Sequence, residues 1–244
     1  MDMTSTDAAA HKPRAVLMKD LGITDGEVNF LWWFIQGSIM NPETWGSLLK
    51  GYGFCERHAW VHINIEMAFR PRYLLPPTIL YLALLGQGLS ALALRRAANV
   101  GKARRRLEAE GPCLLCKLNI RGAFGGAASE SRLAQGKSTR NLWSLASELE
   151  PLWQEMACPI CAENEGFKEG IYLCRNHLLA EIRSGRPVDL RAQAMFLAKL
   201  SQSVRSLQQS YMAEGPKAAD ADRAGLLAAI GWCSGWRPLL ALLN

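Results

Sequence analysis

Apolar residues recur at helical spacing along most of the chain, and strand-like alternation of apolar and polar residues is absent outside the cysteine motifs. Thr24 followed by Glu27 has the pattern of a capping box and predicts a helix through "EVNFLWWFIQGSIM". Asn41 before Pro42 predicts the N-cap and first residue of a short helix that ends at Gly51. The pattern therefore predicts a mainly α protein, an irregular helical bundle.

Two further helices are predicted before the middle of the chain. The first begins around Cys55 and runs through "ERHAWVHINIEMAF", and the second runs from Pro77 to about Leu107, apolar at its start and basic at its end. Residues 74–94 are apolar enough to suggest a membrane span, but the uninterrupted part after Pro77 is short against the ~20 residues that a bilayer requires. We therefore predict a buried core helix rather than a transmembrane span.

The second half of the chain is predicted to contain one long helix, over residues 187–213. The small and polar residues of 122–139, "GAFGGAASESRLAQGKST", predict a flexible loop and a boundary between an N-terminal helical part, 21–121, and a C-terminal part, 140–244. Residues 1–20 are predicted to be disordered. The long helix carries an apolar stripe that either packs on the protein's own helices or binds a protein partner or a second copy of the chain; the stripe consists of Leu190, Leu197, Leu200, Val204, Leu207 and Tyr211.

Composition and charge are those of a folded protein with a mild positive excess. Hydrophobic residues make up 49% and charged residues 20%, and 28 Lys+Arg against 22 Asp+Glu give a net charge of +6. This charge suits an acidic partner but is far below that of a dedicated nucleic-acid binder. The first residues, "MDMTSTDAAAHKPRA", lack the apolar core of a secretory signal, so we expect a cytoplasmic protein with reduced thiols.

Six of the seven cysteines and two of the four histidines form four short pairs: Cys55-x2-His58, Cys113-x2-Cys116, Cys158-x2-Cys161 and Cys174-x2-His177. A C-x2-C turn places two thiolates on one metal ion. A cysteine at the start of a helix with a histidine three residues later presents both ligands on one face, and the helix N-terminus favours the thiolate. Together the pairs supply two Cys3His sets, which predict two zinc ions; an iron–sulfur cluster is the less favoured alternative.

The spacing favours one way of joining the pairs but leaves another open. Cys158, Cys161, Cys174 and His177 are close in sequence and have the order of a treble-clef finger, with a knuckle, a hairpin and then a helix. The second set then joins residues far apart in the chain: Cys55, His58, Cys113 and Cys116. The rival arrangement exchanges the two C-x2-C knuckles.

These sets favour a binding role over catalysis. Catalytic zinc keeps an open position, whereas each predicted set is complete, and no H-x-E, G-x-S-x-G, P-loop or G-x-G-x-x-G motif is present. The first hypothesis is therefore a zinc-binding interaction or regulatory module with structural zinc. The second is a redox- or zinc-responsive regulator that uses its thiolates as the switch, and a lesser third is a metalloenzyme with an open metal position.

Other polar residues carry weaker predictions. A basic run is interpreted as a solvated helix end or as a contact for nucleic-acid phosphates; it comprises Arg95, Arg96, Lys102, Arg104, Arg105 and Arg106. Cys233 is expected to be a buried structural thiol, and His62 to pack or face water rather than support the metal. The residues between the ligands are expected to be exposed; these are Glu56, Arg57, Arg175 and Asn176.

The motifs "GFCERHAW", "ILYLALL", "CPIC" and "LCRNHLL" resemble an uncharacterised bacterial family of helical proteins with repeated CPxC and GxCxxH(L/W) motifs. The resemblance covers residues 25 to 182. It departs where the family tends to carry an extra CPxC and this chain has "EVNFLWWF", and in the 122–139 insert. The resemblance implies metal binding and a soluble helical body, and it implies no reaction.

Overall fold

The structure is a computed structural model that describes residues 21–37, 41–93, 100–120, 126, 128–162 and 172–243. Every regular element in these ranges is helical, which confirms the mainly α prediction. The helices, in chain order, are α1 (Asp25–Ile35), α2 (Pro42–Lys50), α3 (Glu56–Phe69), α4 (Leu75–Leu92), α5 (Val100–Leu107), α6 (Leu114–Lys117), α7 (Glu130–Lys137), α8 (Arg140–Glu148), α9 (Glu150–Trp153), α10 (Arg175–Arg183), α11 (Leu190–Gln209), α12 (Asp220–Ser234) and α13 (Arg237–Leu243).

The predicted helix starts at α1 and α2 are confirmed by their caps. Thr24 accepts a hydrogen bond from the backbone N–H of Glu27 at 3.3 Å, and the Glu27 carboxylate accepts one from the Thr24 backbone at 2.9 Å. The Asn41 side chain accepts a hydrogen bond from the backbone N–H of Glu43 at 2.9 Å, and α2 ends at Lys50 with Gly51 as its C-cap. These contacts are local, so the sequence was sufficient to place both starts.

Helices α4, α11 and α12 pack together as the centre of the core. Gly88 of α4 allows a close approach, because a Cβ atom there would lie 2.7 Å from side-chain carbons of both Leu197 on α11 and Trp232 on α12. The apolar stripe of α11 is covered by this packing; its buried members are Leu197, Leu200, Val204 and Leu207. The stripe therefore packs on the protein's own helices, the first of the two interpretations.

Helix α4 is long and apolar enough, by length and composition, to cross a membrane, and it is the one such helix among the residues that the structure describes. Half of its 18-residue apolar window is buried inside the protein. The buried face lies against α11 and α12. This burial is what the prediction of a core helix requires.

The prediction of one continuous helix from Pro77 to about Leu107 is wrong. Helix α4 ends at Leu92, and α5 folds back on it, so that Arg106 Nη1 donates to the backbone carbonyl of Ser90 at 3.2 Å. In one continuous helix these residues would be about 24 Å apart. The return buries the apolar side chains of Ala103 and Leu107.

The segment 122–139, predicted to be a flexible loop, contains α7 over Glu130–Lys137, and for these residues that prediction is wrong. Ser129 caps the helix, and Gly136 packs so closely on Val28 that a Cβ atom there would lie 2.6 Å from a Val28 methyl carbon. The Gly136 carbonyl also accepts a hydrogen bond from the Asn64 side chain at 3.0 Å. Docking on α1 and α3 orders a segment whose own apolar pattern is weak. Residues 1–20, 121–125 and 127 lie outside the described ranges.

Candidate metal centres

The first Cys3His set lies where the N-terminus of α3 meets α6. Cys55 is the N-cap residue of α3, and His58 lies on the first turn of that helix. Cys113 is the N-cap of α6, and its Sγ accepts the backbone N–H of Cys116 at 3.5 Å, which forms the knuckle. The chain between the two pairs returns so that one turn of helix and one knuckle face each other.

The donor atoms of this set have the separations of a tetrahedral metal site. Nδ1 of His58 lies 3.3 Å from Sγ of Cys55, 3.3 Å from Sγ of Cys113 and 3.4 Å from Sγ of Cys116. The Cys55 and Cys116 sulfurs are 3.8 Å apart. A tetrahedron with metal–S of about 2.3 Å and metal–N of about 2.05 Å has S···S edges of about 3.8 Å and S···N edges of about 3.6 Å. The set can therefore hold one metal ion.

The second set lies at the N-terminus of α10, which Cys174 caps. Nδ1 of His177 lies 3.3 Å from Sγ of Cys158, 3.5 Å from Sγ of Cys161 and 3.3 Å from Sγ of Cys174, and the last two sulfurs are 3.8 Å apart. The exchanged arrangement of the knuckles is thus excluded, and both sets form as the spacing favoured. The predicted hairpin of a treble clef falls on residues 163–171, outside the described ranges.

Glu27 contacts the histidine of the first set. The sequence indicated only one role for this residue, in the capping box of α1. With Nδ1 of His58 facing the sulfurs, Nε2 donates to the Glu27 carboxylate at 2.9 Å. The carboxylate is fully buried and also pairs with Arg57. Burial raises the pKa of this carboxyl, but hydrogen bonds from Arg57, His58 and Thr24 outweigh burial and hold the pKa well below its usual range. Among the residues described, no carboxylate contacts His177.

In each set the three cysteines lie so close together that they cannot all be thiolates without repelling one another. A hydrogen bond with Cys113, together with burial, raises the pKa of the Cys55 thiol well above its usual value, and Cys158 has the same effect on Cys174. Three thiolates at these separations repel each other unless a cation lies between them. A divalent metal ion removes that conflict, because binding releases the protons and its charge stabilises all three sulfurs.

Helices α3 and α10, whose N-caps are Cys55 and Cys174, are both anchored to the C-terminal end of α12. The backbone carbonyls of residues 233–235 accept hydrogen bonds from Arg175 Nε at 2.8 Å, from Asn176 at 3.0 Å and from Trp60 at 2.9 Å. Trp60 belongs to α3, and the other two donors belong to α10. The two metal centres therefore share one helix end, whose partial negative charge suits the Arg175 guanidinium.

The expectation that residues between the ligands are exposed is confirmed for Asn176, wrong for Arg175 and only partly right for Glu56 and Arg57, which are half-buried. Arg175 is buried, and its Nη1 also donates to the carbonyl of Leu107 at 2.9 Å. Arg57 is half-buried against Glu27, and a Glu56 oxygen accepts the backbone N–H of Arg237 at 3.1 Å. Their identities are therefore constrained by contacts that sequence spacing does not reveal.

Cys233 and His62 take no part in either set. Cys233 is buried, as predicted, and burial raises the pKa of its thiol to about 12, so it remains a neutral thiol. His62 packs between Phe34 and Phe54, with ring centroids 5.7 Å and 4.9 Å away, and burial lowers its pKa to about 3. Both residues are parts of the core.

The described part of the basic run lies on α5. Its exposed members are Lys102, Arg104, Arg105 and Arg106, whereas Ala103 and Leu107 on the opposite face are buried. Arg104 pairs with Glu108 at 3.6 Å. Arg95 and Arg96 lie outside the described residues. The helix is amphipathic, with its cations facing solvent.

Comparisons with protein-family models, with curated proteins and with solved structures gave no match to this chain. The resemblance of its motifs to the bacterial family with CPxC and GxCxxH(L/W) motifs therefore stays a prediction.

Proposed function

We propose that the chain is a zinc-binding helical protein in which two structural zinc ions hold helix starts in place so that the surface can bind a partner. The observation that carries this proposal is the geometry of the two Cys3His sets, each with donor atoms within 4.8 Å of one another. Thiolate sulfur and imidazole nitrogen in a tetrahedron are the ligands that zinc prefers. The ligands of an iron–sulfur cluster are distributed over two or more irons, so some of their donor atoms lie farther apart than in the sets found here, in which all four donors lie within 4.8 Å of one another.

The same geometry argues against catalysis at either metal. Each set already supplies four donors, so no position is left for water or substrate, whereas catalytic zinc keeps one. A metalloenzyme with an open metal position is accordingly the least supported hypothesis. The zinc ions would have a structural role, because each ion would hold the N-terminus of one helix against a C-x2-C knuckle from another part of the chain.

Metal analysis tests this proposal directly. The purified chain should contain two zinc ions, and Cys161→Ser should reduce this to one by removing a ligand of the second set. Cys233→Ser is the matched control, because that buried thiol is not a ligand and both zinc ions should remain. Chelation of both ions should lower the melting temperature, since metal binding contributes to folding. A wild-type chain that carries iron, or that folds without metal and gains no stability from zinc, would overturn the proposal.

The partner is proposed to be acidic, and the support is the exposed basic face of α5 and the net charge of +6. A partner at the 187–213 segment would have to use the outer face of α11, where Met195 is 64% exposed, because the apolar stripe is covered. Nucleic acid is one such partner. Binding to a short DNA duplex should weaken with salt, and Lys102→Gln with Arg105→Gln should reduce the log–log salt slope by about 0.9 for each phosphate that the side chains no longer neutralise. Unchanged binding in the double variant would exclude this face.

We propose a cytoplasmic location, with the two sets of reduced thiols as support. Membership of the bacterial family that the motifs resemble is proposed on the same cysteine pairs. A redox-responsive role is the second candidate function, and the exposure of one ligand, Cys116, favours it.

A further inference from the structure

The two metal sets differ in how well they shield their sulfurs. In the second set all three cysteines are buried, and Cys161, the second residue of its knuckle, is 4% exposed. Cys116 holds the corresponding knuckle position in the first set and is exposed. The two sets have the same ligand types in nearly the same geometry, so accessibility is the main difference between these two sulfurs.

Cys116, the exposed cysteine, borders a pocket that a small molecule can enter. The pocket has a volume of about 330 Å³ and is bordered by both C-x2-H ligands of the first set, Cys116 itself, Arg57, Leu115 and Asn119. This space is far larger than a hydroperoxide needs. Arg57 lines the same pocket, and its guanidinium, which is paired with Glu27, is close enough to interact electrostatically with Cys55 and Cys116.

We propose that Cys116 is a modification site: the thiolate through which hydroperoxides open the first metal set while the second stays closed. This inference rests on the proposed binding of zinc at both sets. A metal-bound or free thiolate is the nucleophile in such chemistry, so the thiolate that the reagent can reach reacts first.

The reaction proceeds in two balanced steps. Sγ of Cys116 attacks one peroxide oxygen; an S–O bond forms, the O–O bond breaks, and hydroxide or alkoxide leaves and takes a proton. Sulfur is oxidised by two electrons and the peroxide is reduced by two. Sγ of Cys55, 3.8 Å away, then attacks the sulfenic sulfur; an S–S bond forms, the S–O bond breaks, and hydroxide leaves to become water. The disulfide would remove two of the four residues that would hold the metal and would leave only His58 and Cys113 as ligands.

The structural consequence is local to the first set. Loss of the metal would release His58 and Cys113 from each other, whereas the Cys55–Cys116 disulfide keeps α6 joined to the start of α3. Helix α3 itself remains anchored, since Trp60 donates to the Gly235 carbonyl at 2.9 Å and Ser234 donates to the Phe54 carbonyl at 3.0 Å. Oxidation should therefore change the contact between α6 and the first turn of α3 without unfolding the core.

The experiment treats the full-length zinc protein with hydrogen peroxide and follows released zinc with a colorimetric chelator. A parallel sample is trapped with dimedone and mapped by mass spectrometry. We expect one zinc ion to be released in a first phase, dimedone on Cys116, and a Cys55–Cys116 disulfide with the far-ultraviolet circular dichroism retained. The second zinc should leave about tenfold more slowly or not at all, as expected for buried thiols.

Matched variants and the starting metal content separate the possible failures. Cys116→Ser should abolish the first phase, and Cys161→Ser should leave the first phase intact while removing the other zinc beforehand. Because Cys116→Ser can lose its zinc before oxidation, the trapping on wild type decides the point. First modification at Cys158, Cys161 or Cys174, or equal release of both ions, overturns the inference. Fewer than two zinc ions before peroxide is added would instead overturn the proposed function.

Discussion

The contact between Glu27 and His58 gives the sharpest test of how the first metal set is built. The substitution Glu27→Gln keeps the size of the side chain and an oxygen that can accept from Nε2 of His58, and it keeps a residue that completes the capping box of α1. What it removes is the negative charge that orients the histidine and makes Nδ1 a better ligand. It also leaves Arg57 without its ion pair, although that side chain is 23% exposed and can be hydrated.

The expected loss of metal affinity follows from the contact of this carboxylate with a metal-binding histidine. Loss of a carboxylate that supports a metal-bound histidine lowers metal affinity by about 10- to 100-fold. This corresponds to about 1.4–2.8 kcal/mol of binding free energy. His177 contacts no carboxylate within the described ranges, so the second set should keep its affinity and serves as an internal control.

Competition with zinc chelators of graded affinity measures the effect, and alkylation of the cysteines released at each step identifies the set. In Glu27→Gln the cysteines of the first set should become reactive at a weaker chelator than in wild type. Glu43→Gln, in the exposed first turn of α2, is the control and should change nothing. Equal weakening of both sets, or none at either, would refute the argument that Glu27 supports the first metal through His58.

Three further substitutions test the core. Burial raises the pKa of Glu66 to about 7 from 4.5, so its contribution to stability is complete below pH 4.5 and is lost as the pH rises to 7. In urea denaturation, the stability of Glu66→Gln relative to wild type should rise by about 2 kcal/mol between about pH 5.5 and 8, and an unchanged difference would contradict the assigned burial. Gly88→Ala should destabilise the protein by about 1–3 kcal/mol in thermal or urea unfolding, because its Cβ would lie 2.7 Å from two packed side chains. Gly86→Ala, which meets no atom within 4 Å, should be neutral or stabilising by up to about 1 kcal/mol, and equal effects would count against this packing. Arg175→Lys should destabilise by about 2 kcal/mol through the loss of charged hydrogen bonds to two carbonyls, whereas the exposed Arg183→Lys should stay within about 0.5 kcal/mol; similar values for both would show that the buried bonds contribute little.

Features that depend on neighbours in the chain were predictable from sequence. The capping box of Thr24 and Glu27 and the N-cap of Asn41 lie within a few residues of the groups that they satisfy, so the pattern alone placed the helix starts. The same holds for the metal donors. A knuckle or a C-x2-H turn, such as that of Cys55 and His58, fixes two ligands by local geometry, which is why the spacing identified every member of both sets.

Features that join distant segments were decided only by the tertiary structure. Three such features are the return of α5 onto α4, the docking of α7 and the burial of the apolar stripe of α11. Each buries an apolar helix face, and the sequence alone does not say which other helix that face packs against. The Glu27 contact with His58 and the anchoring of Arg175 on the end of α12 involve residues whose sequence environment is that of an ordinary cap and an ordinary helix start. Sequence spacing thus determined which residues can bind metal. Only the packing determined which set is supported by a carboxylate and which cysteine, Cys116, is exposed.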